Sequence, residues 1–177
     1  MRKIKLLAIP GSLRGNSSTH VVLHEIARML PSEVDFRIYD GIGLLPHFDG
    51  PDEIPLSVQN FLDQIKSADG VLICAPEYAF GVPGSLKNAL DWTVGTGDLD
   101  GKITALITAS LAGDKAHEAM LHILTALSAR VPEGASLLIP FIRAKIREGR
   151  IADEKTKESI QVLMDSFLNA IGSKSNS

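Results

Sequence analysis

Residues 70–92, GVLICAPEYAFGVPGSLKNALDW, decide how this chain folds. Gly70 to Ala75 is a continuous apolar run, the pattern of a strand buried on both faces. Pro76 to Gly84 holds two prolines and two glycines and reads as a rigid loop. Leu86, Leu90 and Trp92 then fall at helical spacing among the polar Lys87, Asn88 and Asp91. A strand, a stiff loop and a helix in that order form one unit of an open parallel sheet. Ligands bind such sheets where strand ends and helix N-termini converge.

The same unit recurs on either side. Before it, Lys3 to Ile9 predicts strand one, Ser18 to Leu30 helix one, Val34 to Tyr39 strand two, and Val58, Phe61, Leu62 and Ile65 the face of helix two. Ser17 or Ser18 is a natural N-cap for helix one. Between strand two and helix two, Asp40 to Pro55 is a long loop rich in Gly, Pro and Asp. After it come strand four (Lys102 to Thr108), helix four (about Lys115 to Ala129), strand five (Ala135 to Pro140) and a last helix from Asp153 to about Ile171. Arg143 to Arg150 is expected to be a mobile basic connection, the charges of Arg143 to Glu158 a solvated face, and Gly172 to Ser177 a frayed tail. No repeat or linker divides the chain, so a single domain is expected over residues 1–177. Five strands alternating with five helices predict an α/β, doubly wound, all-parallel sheet with helices on both faces, in strand order 2-1-3-4-5.

Composition narrows the function classes. The chain has 177 residues, 45% hydrophobic and 22% charged, enough for one full core. Its net charge of −3 offers no basic excess for nucleic acid. No apolar run reaches membrane-spanning length, and a cytoplasmic protein is expected. The lone Cys74 excludes an internal disulfide and a multi-cysteine zinc site, and reads as a small core residue. His20 and His24 are four apart on helix one, but no further ligand completes a metal site. His117 and His122 are expected at the surface.

In the predicted sheet, the loops after strands one, three and four gather at one edge. Gly11 to Thr19 combines glycine with Ser12, Ser17, Ser18 and Thr19 and the cation Arg14, and it enters a helix N-terminus. Free N–H groups and the helix dipole favour a phosphate there, and Arg14 adds a charge-assisted bond. A plain N-cap would explain one serine but not Ser12, Arg14 and Thr19 together. The loop is neither GxxxxGK[ST] nor GxGxxG, so a mononucleotide-like phosphate is favoured over ATP or a tightly held dinucleotide. In the second loop, Pro76, Glu77, Tyr78, Ala79, Phe80 and Gly81 offer edge contacts, aromatic surface and close backbone approach to a planar ligand. Packing alone is the plain alternative for Tyr78 and Phe80, and the better one for Trp92. The third loop, Ser110 to Gly113, is small enough to face a ring. A phosphate at one loop and a ring between two others describes flavin mononucleotide.

Gly11-Ser12-Leu13-Arg14 with Ser17, Pro76-Glu77-Tyr78, and Gly81-Val82-Pro83-Gly84-Ser85-Leu86-Lys87-Asn88-Ala89-Leu90-Asp91-Trp92 together resemble the NADPH-dependent FMN reductase family over about Lys3 to Ile142. The family includes bacterial chromate and quinone reductases and some azoreductases. The resemblance implies a flavodoxin-like three-layer sandwich, bound FMN, and NADPH or NADH as co-substrate. It also implies small-molecule acceptors: quinones, dyes, metal ions or free flavin. Ser12, Arg14, Ser17, Ser18 and Thr19 match the family's phosphate loop, where Thr19 often corresponds to asparagine. Pro76 to Gly81 match the loop at the flavin's reactive edge, with Ala79 in place of a frequent asparagine or histidine. Ser110 and Gly113 match a third loop more weakly. The segment matching Leu86 to Trp92 implies a dimer interface, and a homodimer or homotetramer. The expected chemistry is ping-pong on the flavin, with no catalytic side chain and no metal. The chain lacks the threonine-rich phosphate loop and the acidity of true flavodoxins, which argues against the rival reading of a pure electron carrier. A second rival, a phosphate-ligand hydrolase, lacks a GxSxG elbow and histidines spaced for a triad.

Overall fold

A computed structural model describes residues 3–50 and 53–175. Five strands form one parallel sheet: β1 (Ile4–Pro10), β2 (Val34–Ile38), β3 (Gly70–Ala75), β4 (Ile103–Ala109) and β5 (Ser136–Ile139). Their order is β2-β1-β3-β4-β5, as the alternation predicts. The register runs Leu6 opposite Gly70, Gly70 opposite Ile103, and Leu106 opposite Ser136. The chain reverses its winding between β1 and β3, so a crevice opens at their carboxyl ends.

Alternation within the strands assigns the two faces. Leu6, Ala8, Leu72, Cys74, Ala105 and Ile107 pack under α1 (Ser18–Met29) and α5 (Glu154–Ser175). Leu7, Ile9, Val71, Ile73 and Leu106 pack under α2 (Leu56–Ser67), α3 (Gly84–Asp91) and α4 (Asp114–Ala126). β1, β3 and β4 are therefore covered on both sides, which is why they read as unbroken apolar runs. Burial drives the Cys74 thiol's pKa upward and leaves it inert as a small core group, its Sγ 3.8 Å from the Thr19 carbonyl.

Two expectations change. The basic stretch after β5 is regular structure: a 3-10 turn (Ile142–Lys145) leads into a hairpin of β6 (Ile146–Arg147) and β7 (Arg150–Ile151). Ile151 is buried in the α1–α5 core and anchors that hairpin, a single apolar residue that a charge-based reading passes over. The last helix runs on through Ser175 instead of ending near Ile171; the remainder of the expected frayed tail, Asn176 and Ser177, lies outside the described residues.

The apolar side of α3 is used inside the chain. Leu86, Ala89, Leu90 and Trp92 are buried. The Trp92 indole N–H donates to the Pro46 carbonyl at 2.9 Å, and Asn88 both donates to that carbonyl at 3.0 Å and accepts from the Phe48 N–H at 2.8 Å. Phe48 stands edge-on to Trp92 with ring centroids 5.1 Å apart. This motif thus fastens the long β2–α2 loop to the sheet.

Candidate active site

The loop after β1 is drawn against the loop after β3. The Gly11 N–H donates to the Cys74 carbonyl at 2.8 Å, and a Cβ at Gly11 would stand 3.0 Å from the Ala75 Cα. Only glycine permits that approach without displacing backbone. Ser12 is buried behind the loop; its Oγ accepts the Arg14 N–H at 3.3 Å and lies 3.4 Å from the Tyr78 hydroxyl. Ser17 is the N-cap of α1, its Oγ accepting the His20 N–H at 3.4 Å and lying 2.9 Å from His20 Nδ1.

Those bonds leave a set of groups without protein partners. The N–H groups of Ser18 and Thr19, in the first turn of α1, have no acceptor among the described residues. Thr19 Oγ1 is buried with no hydrogen-bond partner. The guanidinium of Arg14 makes no ion pair among the described residues. A buried polar atom left unsatisfied costs about 1–3 kcal/mol. The absence of any protein group to meet these four donors marks a place prepared for an anion.

A cavity of about 510 Å³ opens directly above them, between the carboxyl ends of β1, β3, β4 and β5. Arg14, Ser17, Ser18 and Thr19 line its polar end. Pro76, Glu77, Tyr78, Ala109, Ser110 and Leu111 line the other, and Phe141, Ile142, Arg143 and Ala144 form a side wall. Of the residues singled out from sequence, eight therefore face the cavity: Arg14, Ser17, Ser18, Thr19, Pro76, Glu77, Tyr78 and Ser110. Ser12, Ala79, Phe80, Gly81 and Gly113 do not line it.

Two of these residues act differently from their sequence reading. The Glu77 carboxylate does not point a free edge at a ligand; it caps α4, accepting from the Gly113 N–H at 3.3 Å and the Ala116 N–H at 3.0 Å. Gly113 takes φ 97°, and a Cβ there would meet Leu138 at 2.9 Å, so it serves the start of α4. Ser110 Oγ accepts the Glu77 N–H at 3.2 Å and joins the second and third loops into one wall. His117, expected at the surface, is half-buried between Thr108 Oγ1 and Ser136 Oγ, each 2.9 Å from a ring nitrogen.

The tip of the second loop is a two-residue hairpin turn. The Tyr78 N–H donates to the Gly81 carbonyl at 3.0 Å and the Gly81 N–H returns to Tyr78 at 2.9 Å. Ala79 and Phe80 both take the left-handed conformation, with φ 49° and 58°. Such a turn favours Asn and Gly, so it is strained here, and it leaves the Phe80 ring 79% exposed. Leu111 and Phe141, which both line the cavity and are joined by the Phe141 N–H to the Leu111 carbonyl at 3.0 Å, are also exposed. The side wall was missed from sequence. Its signal was Phe141-Ile142 directly after strand five, on the same edge as the other loops.

A model of NADPH-dependent FMN reductases matches residues 4–143, which contain all of these loops. The chain belongs to the NADPH-dependent FMN reductase family. It is accordingly an FMN-dependent NAD(P)H oxidoreductase with a flavodoxin-like fold. Among its relatives is a quinone reductase of Escherichia coli, 28% identical, with 93% of this chain and 94% of the relative aligned. A 2-hydroxy-1,4-benzoquinone reductase of a Burkholderia species is 32% identical over the same shares, 93% and 94%. The solved structure of FerB, a flavoenzyme NAD(P)H:(acceptor) oxidoreductase of Paracoccus denitrificans, superposes with a TM-score of 0.78 at 26% identity, covering 96% of this chain and 98% of FerB.

The donor set fits the family's cofactor. Free amides, an orphaned hydroxyl and an unpaired guanidinium suit the phosphate of FMN, and the apolar walls suit its ring system.

Proposed function

We propose that the chain forms a single FMN-binding domain that reduces small quinones at the expense of NAD(P)H by a ping-pong mechanism. The observation that carries this is the continuity of one cavity: unpartnered phosphate donors at one end, apolar walls and an exposed aromatic rim at the other. Quinone reductases among the relatives support the acceptor class.

Arg14 and the first turn of α1 hold the phosphate, through two backbone N–H groups, Thr19 Oγ1 and the guanidinium. Bound there, FMN would supply the two-electron chemistry that links hydride donor and acceptor. Pro76 to Tyr78, with Ser110 and Leu111, orient its ring by backbone and wall contacts. Gly113 and Ala116 N–H groups keep the Glu77 carboxylate occupied, so its negative charge is directed into α4 and away from the ring. Tyr78, and the neighbouring pair Leu111 and Phe141, exclude water from the flat face of a bound quinone. No side chain is required to move a proton. One mouth serves both donor and acceptor, so they bind in turn.

The reading extends to other small oxidants, including dyes, free flavin and chromate, and to a cytoplasmic homodimer or homotetramer. The test is the absorption spectrum of the purified protein. Flavin bands that bleach with NADPH and return with a quinone are expected. A protein that stays colourless after incubation with FMN overturns the reading.

A further inference from the structure

A second cavity, of about 670 Å³, begins where the first ends. Arg14, Ser17, Ser18 and Arg143 line both. From there it runs as a groove between the outer face of α1 and the β6–β7 hairpin. Val21, His24 and Arg28, at helical spacing, form one wall, and Ile146 and Gly149 the other. The groove carries three arginines and a histidine, and no carboxylate is among the residues that line it. This stands out in a chain whose net charge is −3.

The groove is built around a buried carboxylate. Glu25, its side chain 5% exposed, lies 3.1 Å from Arg28 Nη1 and 3.5 Å from Arg150 Nη2. One oxygen faces the helix arginine and the other the hairpin arginine, so Glu25 fixes the hairpin against α1 and holds Arg28 in place. One negative charge under two guanidiniums leaves the local balance positive. Arg14 and Arg143 have no acidic partner among the described residues. An ordinary surface ion pair accounts for Arg28 alone, not for Arg143 and His24 on the same groove.

The phosphate of FMN does not explain this groove. Arg28 lies ten residues after Ser18, roughly 15 Å along the helix at 1.5 Å per residue. Its side chain leans back toward the N-terminus, yet a group held in the first turn of α1 stays out of its reach. A second anionic group is called for, on a molecule long enough to span both cavities. The co-substrate of this family is such a molecule: NADPH carries an extra phosphate dianion at the end remote from the nicotinamide.

We propose that the groove between α1 and the β6–β7 hairpin binds the 2′-phosphate of NADPH, through Arg28, Arg143 and His24, and sets a preference for NADPH over NADH. This rests on the flavin site proposed above. The rim supplies the nicotinamide end, and the two cavities meet at Ser17, Ser18 and Arg143, so one extended molecule can reach from one to the other.

Calorimetric titration of the protein as purified tests the groove whether or not flavin is bound. The probes are 2′,5′-ADP, 5′-AMP and inorganic phosphate. Binding of 2′,5′-ADP about tenfold tighter than 5′-AMP is expected, from one added set of charge-assisted bonds. Arg28→Gln and His24→Glu should abolish that difference, and Arg28→Lys should restore part of it. His24 is exposed and outside the Glu25 pair, so His24→Glu keeps a variant that folds if Arg28→Gln does not. In steady-state assays the ratio of KM for NADPH to KM for NADH should rise about tenfold in both variants. Equal affinity for 2′,5′-ADP and 5′-AMP overturns the proposal. So does inorganic phosphate binding as tightly as 2′,5′-ADP, which would mark a free-phosphate site. A flavin-loaded protein without nucleotide discrimination defeats this inference alone, whereas a protein that never takes up FMN defeats the flavin reading.

Discussion

Arg14 and Glu77 sit within one cavity and have opposite tasks. Arg14 is exposed, makes no ion pair among the described residues and lines the polar end of the cavity, so under the proposed FMN site its removal should act on the ligand and not on the fold. Arg14→Ala is expected to weaken FMN binding about tenfold or more, read by fluorescence titration, with the unfolding midpoint nearly unchanged. Unaltered FMN affinity would count against the phosphate assignment. Glu77 is an acceptor for two N–H groups of the α4 start. Glu77→Ala leaves both donors unmatched and should lower unfolding stability by about 1–2 kcal/mol in urea titration, loosening the third loop as well. From the sequence, Arg14 reads as a phosphate contact and Glu77 as an edge contact to a planar ligand; the second reading changes, because Glu77 caps α4. A carboxylate's partners across a sheet edge, 36 and 39 positions away in the chain, are set by packing and leave no local pattern.

At the level of elements, strain and burial give two further expectations. The turn Tyr78-Ala79-Phe80-Gly81 places two non-glycine residues in the left-handed region. Asparagine tolerates that region better than alanine and avoids the chain entropy of glycine, so Ala79→Asn should raise stability by about 0.5–1 kcal/mol. A thermal melt that fails to rise would show that the turn is not strained. On α4, burial pushes the His117 imidazole below its ordinary value of 6.5. The unfolded chain then binds the extra proton first as pH falls. The contribution of His117 to stability is whole above about pH 6.5 and is lost as pH falls through the lowered folded value. The melting temperature should therefore decline from pH 7 to pH 5, and His117→Gln should flatten part of that decline. An unchanged slope in the variant would assign the acid sensitivity elsewhere. The strands that flank these elements were legible because burial on both faces forces continuous apolar runs. The β6–β7 hairpin was not, since a two-residue strand lacks any period, and its anchors, Ile151 in the core, Ile146 packed against it and the Arg150–Glu25 pair, are made across the fold.

For the whole molecule, one cavity mouth predicts that donor and acceptor compete for space. Initial rates with NADPH at several fixed quinone concentrations should give parallel double-reciprocal lines. Intersecting lines would require both substrates bound together and a second entrance. The sequence alone determined the layer architecture, through alternating strand and helix periods, and it singled out the loop proposed to hold a phosphate, because capping hydroxyls, glycine and arginine cluster within nine consecutive residues, Gly11 to Thr19. These features are local, and local chemistry is written in order along the chain. Only the tertiary structure decided which of the loop residues face the cavity and which brace it. It also brought Phe141 to Ala144 in as a wall and placed Arg143 and Arg28 on one groove. Such arrangements join residues from about thirty to more than a hundred positions apart, and they exist only once the parallel sheet has brought its strand ends to one edge.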